Sequence, residues 1–204
     1  MEAAGMMAID PAVWSPDATQ LVYERKPSEE EQSRLWWLEV KSGKTMPVFE
    51  DPEHAGTHPG WSPDGAWLSY IDPIRQELQV YHLQDGRLFA LPNQMMEPPV
   101  WHPRLNRLAF SDILFQGETM VIHLFHLNPE QETVEDISGA MSLVEDWFPT
   151  WSPGGTWLAY SRKVAGAKMG KQQVMMRPDG SERFPLTDEP FYEHTHPAWS
   201  PDDR

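Results

Sequence analysis

Polar and apolar residues alternate along this chain in short runs, each bounded by turn-forming residues, which marks a succession of β-strands. One set of strands is expected at residues 20–25, 35–40 and 45–49, a second at 67–71, 77–83 and 88–91, a third at 107–111 and 119–127, and a fourth at 157–160, 172–177 and 183–186. The 77–83 run alternates with period two, as a strand with one buried face does. The longest run, 119–127, is less regular at Val121, Leu124 and Phe125, so His123 and His126 fall on opposite faces unless a bulge intervenes. Between the runs stand Lys41-Ser42-Gly43-Lys44, Gln84-Asp85-Gly86-Arg87 and Pro178-Asp179-Gly180-Ser181, all with turn chemistry.

The sets are copies of one unit. Trp151 to Tyr160 reads W-S-P-G-G-T-W-L-A-Y; Trp61 to Tyr70 (W-S-P-D-G-A-W-L-S-Y) and Trp14 to Tyr23 (W-S-P-D-A-T-Q-L-V-Y) are close versions. Trp101 to Phe110 (W-H-P-R-L-N-R-L-A-F) is a worn one, and Trp199 to Arg204 (W-S-P-D-D-R) begins a fifth. Successive tryptophans are 47, 40, 50 and 48 residues apart, the period of a four-stranded propeller blade. Within each unit Ser, Pro, Asp and Gly close a tight hairpin turn, with Gly65 and Gly155 supplying positive φ. The tryptophan before the turn is expected between neighbouring blades, where it buries area and its N–H meets a carbonyl.

These hairpins, with Met176-Arg177-Pro178-Asp179-Gly180-Ser181-Glu182 running on to Leu186-Thr187-Asp188, resemble the WD-repeat-like β-propeller family typified by TolB. The resemblance implies an all-β fold: a β-propeller of four four-stranded antiparallel blades, at about 9–51, 57–92, 98–137 and 148–188. A partial blade at 189–204 adds the first strand of a fifth. Five inner strands against four complete blades point to a single domain, 1–204, that is an arc of a six- to eight-bladed ring, truncated or closed by self-association. Ala18 in the first unit, and His102, Arg104 and Leu105 in the third, depart from the family pattern.

Composition narrows the function. Sixteen basic against 31 acidic side chains give a net charge of −15, which argues against nucleic acid or an anionic membrane as partner. The chain has no cysteine, hence no disulfide, thiolate zinc site or cysteine nucleophile. The run Glu29-Glu30-Glu31 reads as a solvated loop. Residues 1–8 lack the basic and apolar regions of a signal peptide, and no stretch is long enough to cross a membrane. The compartment stays open: periplasmic or extracellular if a targeting segment precedes this sequence, cytoplasmic otherwise.

Candidate chemistry lies in the loops that enter the inner strands, which in a propeller surround the mouth of the channel. They carry Glu53, His54 and His58; Glu97; Glu145 and Asp146; and Glu193, His194 and His196. Carboxylates and imidazoles there suit a divalent cation or a cationic peptide group, or else simply satisfy local turns. His194-Thr195-His196 places two imidazoles on one side if the segment is a strand, and it resembles a metal-binding pair in propeller-type oligogalacturonate lyases, which use manganese. No G-x-S-x-G elbow, phosphate-binding glycine loop or H-E-x-x-H helix occurs. The expectation is a non-catalytic module, without a required cofactor, that binds a protein or peptide at the channel mouth. Its alternatives are a metal-dependent lyase and the gating propeller of a prolyl-oligopeptidase-like peptidase.

Overall fold

The computed structural model describes residues 12–26, 28 and 30–202; the expected blade start near residue 9, the residues 1–8, Glu29 and the last two residues of the fifth motif lie outside them. Sixteen strands are found among the described residues. Here too no helix is long and apolar enough to cross a membrane. The chain divides between Pro92 and Asn93 into two compact units.

The first unit holds two four-stranded antiparallel meanders. Strands β1 (Val13–Trp14), β2 (Gln20–Arg25), β3 (Arg34–Glu39) and β4 (Thr45–Pro47) form one, and β5 (Thr57–Trp61), β6 (Trp67–Asp72), β7 (Glu77–His82) and β8 (Leu88–Pro92) the other. Each bends back through the W-S-P hairpin by the same hydrogen bonds. In the second meander Gly65 N–H reaches Ser62 O at 3.0 Å, Ser62 Oγ donates to Asp64 Oδ1 at 2.6 Å, and Trp67 N–H returns to Ser62 Oγ at 2.9 Å. Serine therefore closes the turn from both sides, and Asp holds the serine. Ala18 occupies the glycine position at φ +55°, so the first turn keeps its shape without glycine. Val22, Leu35, Leu68 and Tyr70 are the buried core of this unit, with Trp61 packed on them and Trp37.

The second unit contains β9 (Val100–Trp101), β10 (Leu108–Gln116), β11 (Thr119–Asn128) and β12 (Thr133–Asp136), then β13 (Val144–Trp151), β14 (Leu158–Val164), β15 (Gln172–Met176) and β16 (Phe184–Pro185). Both sets are antiparallel meanders, yet they join into one eight-stranded sheet through a parallel bridge, Ile122 to Glu145. The bridge exists because β10 and β11 run past the ends of β9 and β12. Their register is unbroken over nine pairs, so no bulge intervenes. His123 accordingly sits with Asp136 and Ser142, whereas His126 stacks on Trp151. Ala109, Leu124, Ile137, Trp151, Leu158, Tyr160, Val174 and Met176 form the core.

The repeated tryptophans differ in their surroundings. Trp151 is 8% exposed and donates its indole N–H to Val100 O at 3.2 Å. Trp199 makes the equivalent bond one repeat later, to Thr150 O at 3.0 Å, although the residues around it form no strand. The Trp61 N–H is buried but bonds to nothing, and Trp14 is 55% exposed, against the expectation of burial between blades. In the third repeat, His102 replaces the serine as the turn's anchor. Its Nδ1 accepts the N–H groups of Arg104 and Leu105, and its Nε2 donates to Gly155 O at 3.0 Å.

Candidate functional site

Three of the segments entering inner strands are shaped by a residue–proline pair three positions before the tryptophan. His58, Phe148 and His196 each precede a proline and each has positive φ, +52°, +55° and +53°. Residues before proline favour extended backbone, so this conformation carries local strain. It coincides with a shift of register between Thr57 and Gly60 in one sheet and between Trp147 and Thr150 in another. The kink turns a backbone N–H out of the ladder, and a buried carboxylate meets it. Glu24, 3% exposed, accepts the His58 N–H at 2.6 Å. Glu97 accepts that of Phe148.

In the first unit, His54 lies flat on Phe49, 3.8 Å between ring centres, with Nε2 2.7 Å from Tyr70 Oη. The Tyr70 hydroxyl donates to Gln79 Oε1 at 2.6 Å, so His54 carries its proton on Nε2. Burial holds His54 below the usual histidine range and pushes the Tyr70 phenol well above its own. His58 Nδ1 is 3.1 Å from Thr57 Oγ1. Glu53 is solvent-exposed in an Asx turn capped by Asp51, beside a cleft of about 360 Å³ that Glu30, Glu31 and Arg34 also line. Of the three residues expected here, His54 is engaged in the fold and Glu53 faces water.

The second unit brings more chemistry together. Lys171 Nζ lies 4.3 Å above the Trp147 ring and 3.7 Å from Glu193 Oε2. Glu97 feels the positive charge of Lys171, but burial dominates and raises its carboxyl above the usual range. Its Oε2 is buried and accepts no hydrogen bond. His196 stacks on Phe148 at 3.9 Å. The arrangement offers one ammonium, two carboxyls and three aromatic surfaces. Such a set can hold the charged and amide groups of a peptide.

Other expected residues serve the fold instead. Asp146 is completely buried and gripped by Arg162, Nε to Oδ1 at 2.7 Å and Nη2 to Oδ2 at 2.6 Å, while Ser138 Oγ also donates to it. That is a structural ion pair. Glu145 stands 4.0 Å from Lys163. The His194 and His196 rings do not share a ligand: His194 Nε2 is 3.1 Å from Glu189 Oε2, and His196 is on Phe148. The segment is not a strand, and the positive φ at His196 breaks the alternation on which a shared metal depends. Among the described residues, no three His, Asp or Glu side chains gather as a metal site would require.

Lys171, Trp147 and Phe148 escaped the sequence reading. The one available signal was the recurrence of His or Phe before proline at the same offset from the tryptophan, in His58-Pro59, Phe148-Pro149 and His196-Pro197. Lys171 carries no local mark.

No family model matches the chain. A Bacillus subtilis (strain 168) protein described as the uncharacterized peptidase YuxL is 24% identical over 98% of this chain, which spans 29% of that protein's length. Among solved structures, the β-propeller domain of the Trilobed protease from Pyrococcus furiosus, which has an open velcro topology, superposes with a TM-score of 0.62. It is 12% identical and covers 87% of this chain and 57% of its own. A putative TolB from Agrobacterium tumefaciens gives a TM-score of 0.64 at 22% identity, over 93% of this chain and 69% of that one. The oligogalacturonate lyase of Vibrio parahaemolyticus gives 0.61 at 12% identity, over 84% and 50%. With the four-stranded antiparallel meanders above, these likenesses make the fold an all-β propeller, one shared by TolB, a protease and a lyase.

Proposed function

We propose that this chain is the propeller portion of a peptidase-like protein, and that it holds peptide at the loops before its inner strands while cleavage occurs elsewhere. The observation that carries this is the alignment with a peptidase over nearly the whole chain. The Lys171–Trp147–Glu193 cluster supports it chemically. An ammonium held over an aromatic ring offers a point charge to a peptide carboxylate or carbonyl. Glu193, its side chain 60% exposed, offers a carboxylate to N–H donors, and the Phe148–His196 stack gives an apolar side chain a flat surface.

A TolB-like binding role in a protein complex is the second reading, favoured by the larger share of that structure the chain covers. The lyase reading rests on fold alone, since His194 and His196 are directed to different neighbours.

The test is binding of fluorescein-labelled tri- to hexapeptides, followed by anisotropy, with hydrolysis of the same peptides monitored in parallel. Binding without cleavage, weakened about tenfold by Lys171→Ala or Glu193→Gln, is expected. Hydrolysis by this chain alone, or binding indifferent to both substitutions, would refute the assignment.

A further inference from the structure

Strands β10 and β11 leave an edge that nothing described covers. Strand β10 pairs with β11 from Leu108 to Gln116, but on its other side β9 pairs only with Leu108 and Ala109. Odd-numbered residues direct their backbone groups to that outer side: Arg107 O accepts the His102 N–H, and Ser111 O accepts from Asn93 Nδ2 at 3.0 Å. Asp112 then caps the Gln94 N–H, and coverage stops. By the same period, the Ile113 carbonyl and both backbone groups of Phe115 face outward beyond the last covering residue.

The side chains on this stretch are equally uncovered. Phe115 and Met120 are direct cross-strand partners, 69% and 45% exposed. Ile113-Leu114-Phe115-Gln116-Gly117 contains no charge and no proline, and the strand has no bulge. Those are the devices by which edge strands are ordinarily made unattractive to other strands. The edge is also firmly held: Gln116 Nε2 donates to Ala140 O at 2.9 Å and to Ser142 O at 3.3 Å, and the Ile122–Glu145 bridge fixes the far side of the hairpin.

We propose that Ile113–Gln116 receives a strand from another protein by β-augmentation, and that the incoming segment alternates apolar with basic residues. Main-chain hydrogen bonds to Phe115 supply the attachment, and the Phe115–Met120 pair takes the apolar side chains. Charge selects the occupant. Glu118, exposed at the hairpin tip, and the net charge of −15 attract Lys and Arg. They oppose pairing with a second copy, which would bring together two chains each of net charge −15. This surface shares no residue with the Lys171 cluster, and its occupation does not depend on peptidase function.

The probe is a fluorescein-labelled octapeptide of alternating valine and lysine, titrated with the whole chain at low and high salt. Three comparisons accompany it: the same peptide N-methylated at alternate residues, a valine–glutamate octapeptide, and the Phe115→Pro and Phe115→Lys variants. Proline at 115 removes an outward N–H without touching the ladder to β11, so the fold is kept. The valine–lysine peptide should bind, with at least tenfold weaker binding for the N-methylated and valine–glutamate peptides and for both variants, and unchanged binding to Glu193→Gln. Equal binding of the N-methylated peptide reduces the effect to bulk charge and overturns the proposal. So does loss of binding in Glu193→Gln with Phe115→Pro unaffected, and so does a wild-type dimer that Phe115→Pro dissolves.

Discussion

Replacing the repeated tryptophans one at a time by alanine should give a graded loss of stability set by what each indole touches. Trp151 has the most to lose. It is 8% exposed, lies in the core of the second unit, stacks on His126 at 5.3 Å, meets His102 edge-on at 4.8 Å, and donates to Val100 O. Removing a buried aromatic side chain costs about 3–5 kcal/mol, and the orphaned carbonyl adds about 1 kcal/mol. Trp61 is partly buried against Trp37, and its N–H already bonds to nothing, so only the packing is lost, at about 2–3 kcal/mol. Trp14, 55% exposed, should cost under about 1 kcal/mol. The assay is urea denaturation followed by far-UV circular dichroism, with hydrogen exchange to report each unit separately, because two compact units need not unfold together. Trp151→Phe separates the terms: it keeps most of the buried area and should cost about 1–2 kcal/mol. If Trp14→Ala and Trp151→Ala destabilised equally, the tryptophans would not act through local burial and the reasoning would fail.

Three further outcomes are expected. Burial depresses His126 to about 3. Because the folded value lies below the unfolded one near 6.5, its contribution is intact above about pH 6.5 and declines as the solution is acidified. Roughly 2–3 kcal/mol should be gone by about pH 4.5, and a pH series of melts should show His126→Phe relieved of that part. Gly155→Ala places a Cβ 2.4 Å from the His102 ring at φ +75°, so it should cost about 2–4 kcal/mol; adding His102→Ala should recover the steric part but not the backbone strain, as a double-mutant cycle of melts would show. Arg162→Met leaves the wholly buried Asp146 carboxyl without its guanidinium partner, a loss of about 3–5 kcal/mol that Asp146→Asn should partly restore in the same denaturation assay.

Much of the architecture was legible because each hairpin states its turn chemistry locally. Residues 20–25 form a strand just where alternation placed one, and the opposed faces of His123 and His126 follow from period two alone. One strand of the third repeat was read too short, 107–111 against the observed Leu108–Gln116, whose extra residues pair with β11 across the turn at Gly117. The candidate site was read less well because its contacts are not local. The acidic and histidine residues were conspicuous, but whether a carboxylate meets solvent or a buried guanidinium is decided by pairing: Asp146 belongs to Arg162, sixteen positions away on the adjacent strand. Trp14 shows the converse, since the motif that buries Trp151 does not by itself supply the neighbour that covers it.

The parallel bridge at Ile122 and Glu145 has a mechanical consequence. In the first unit the two meanders are separate sheets with no strand pairing between them, whereas in the second a backbone seam stitches them at one end. Any gape between those two meanders would have to pivot about that stitch and open at the opposite end, where Trp151 meets Val100. Slow amide exchange at the seam, with faster exchange beside the W-S-P turns, would be the trace of such a one-sided breathing motion.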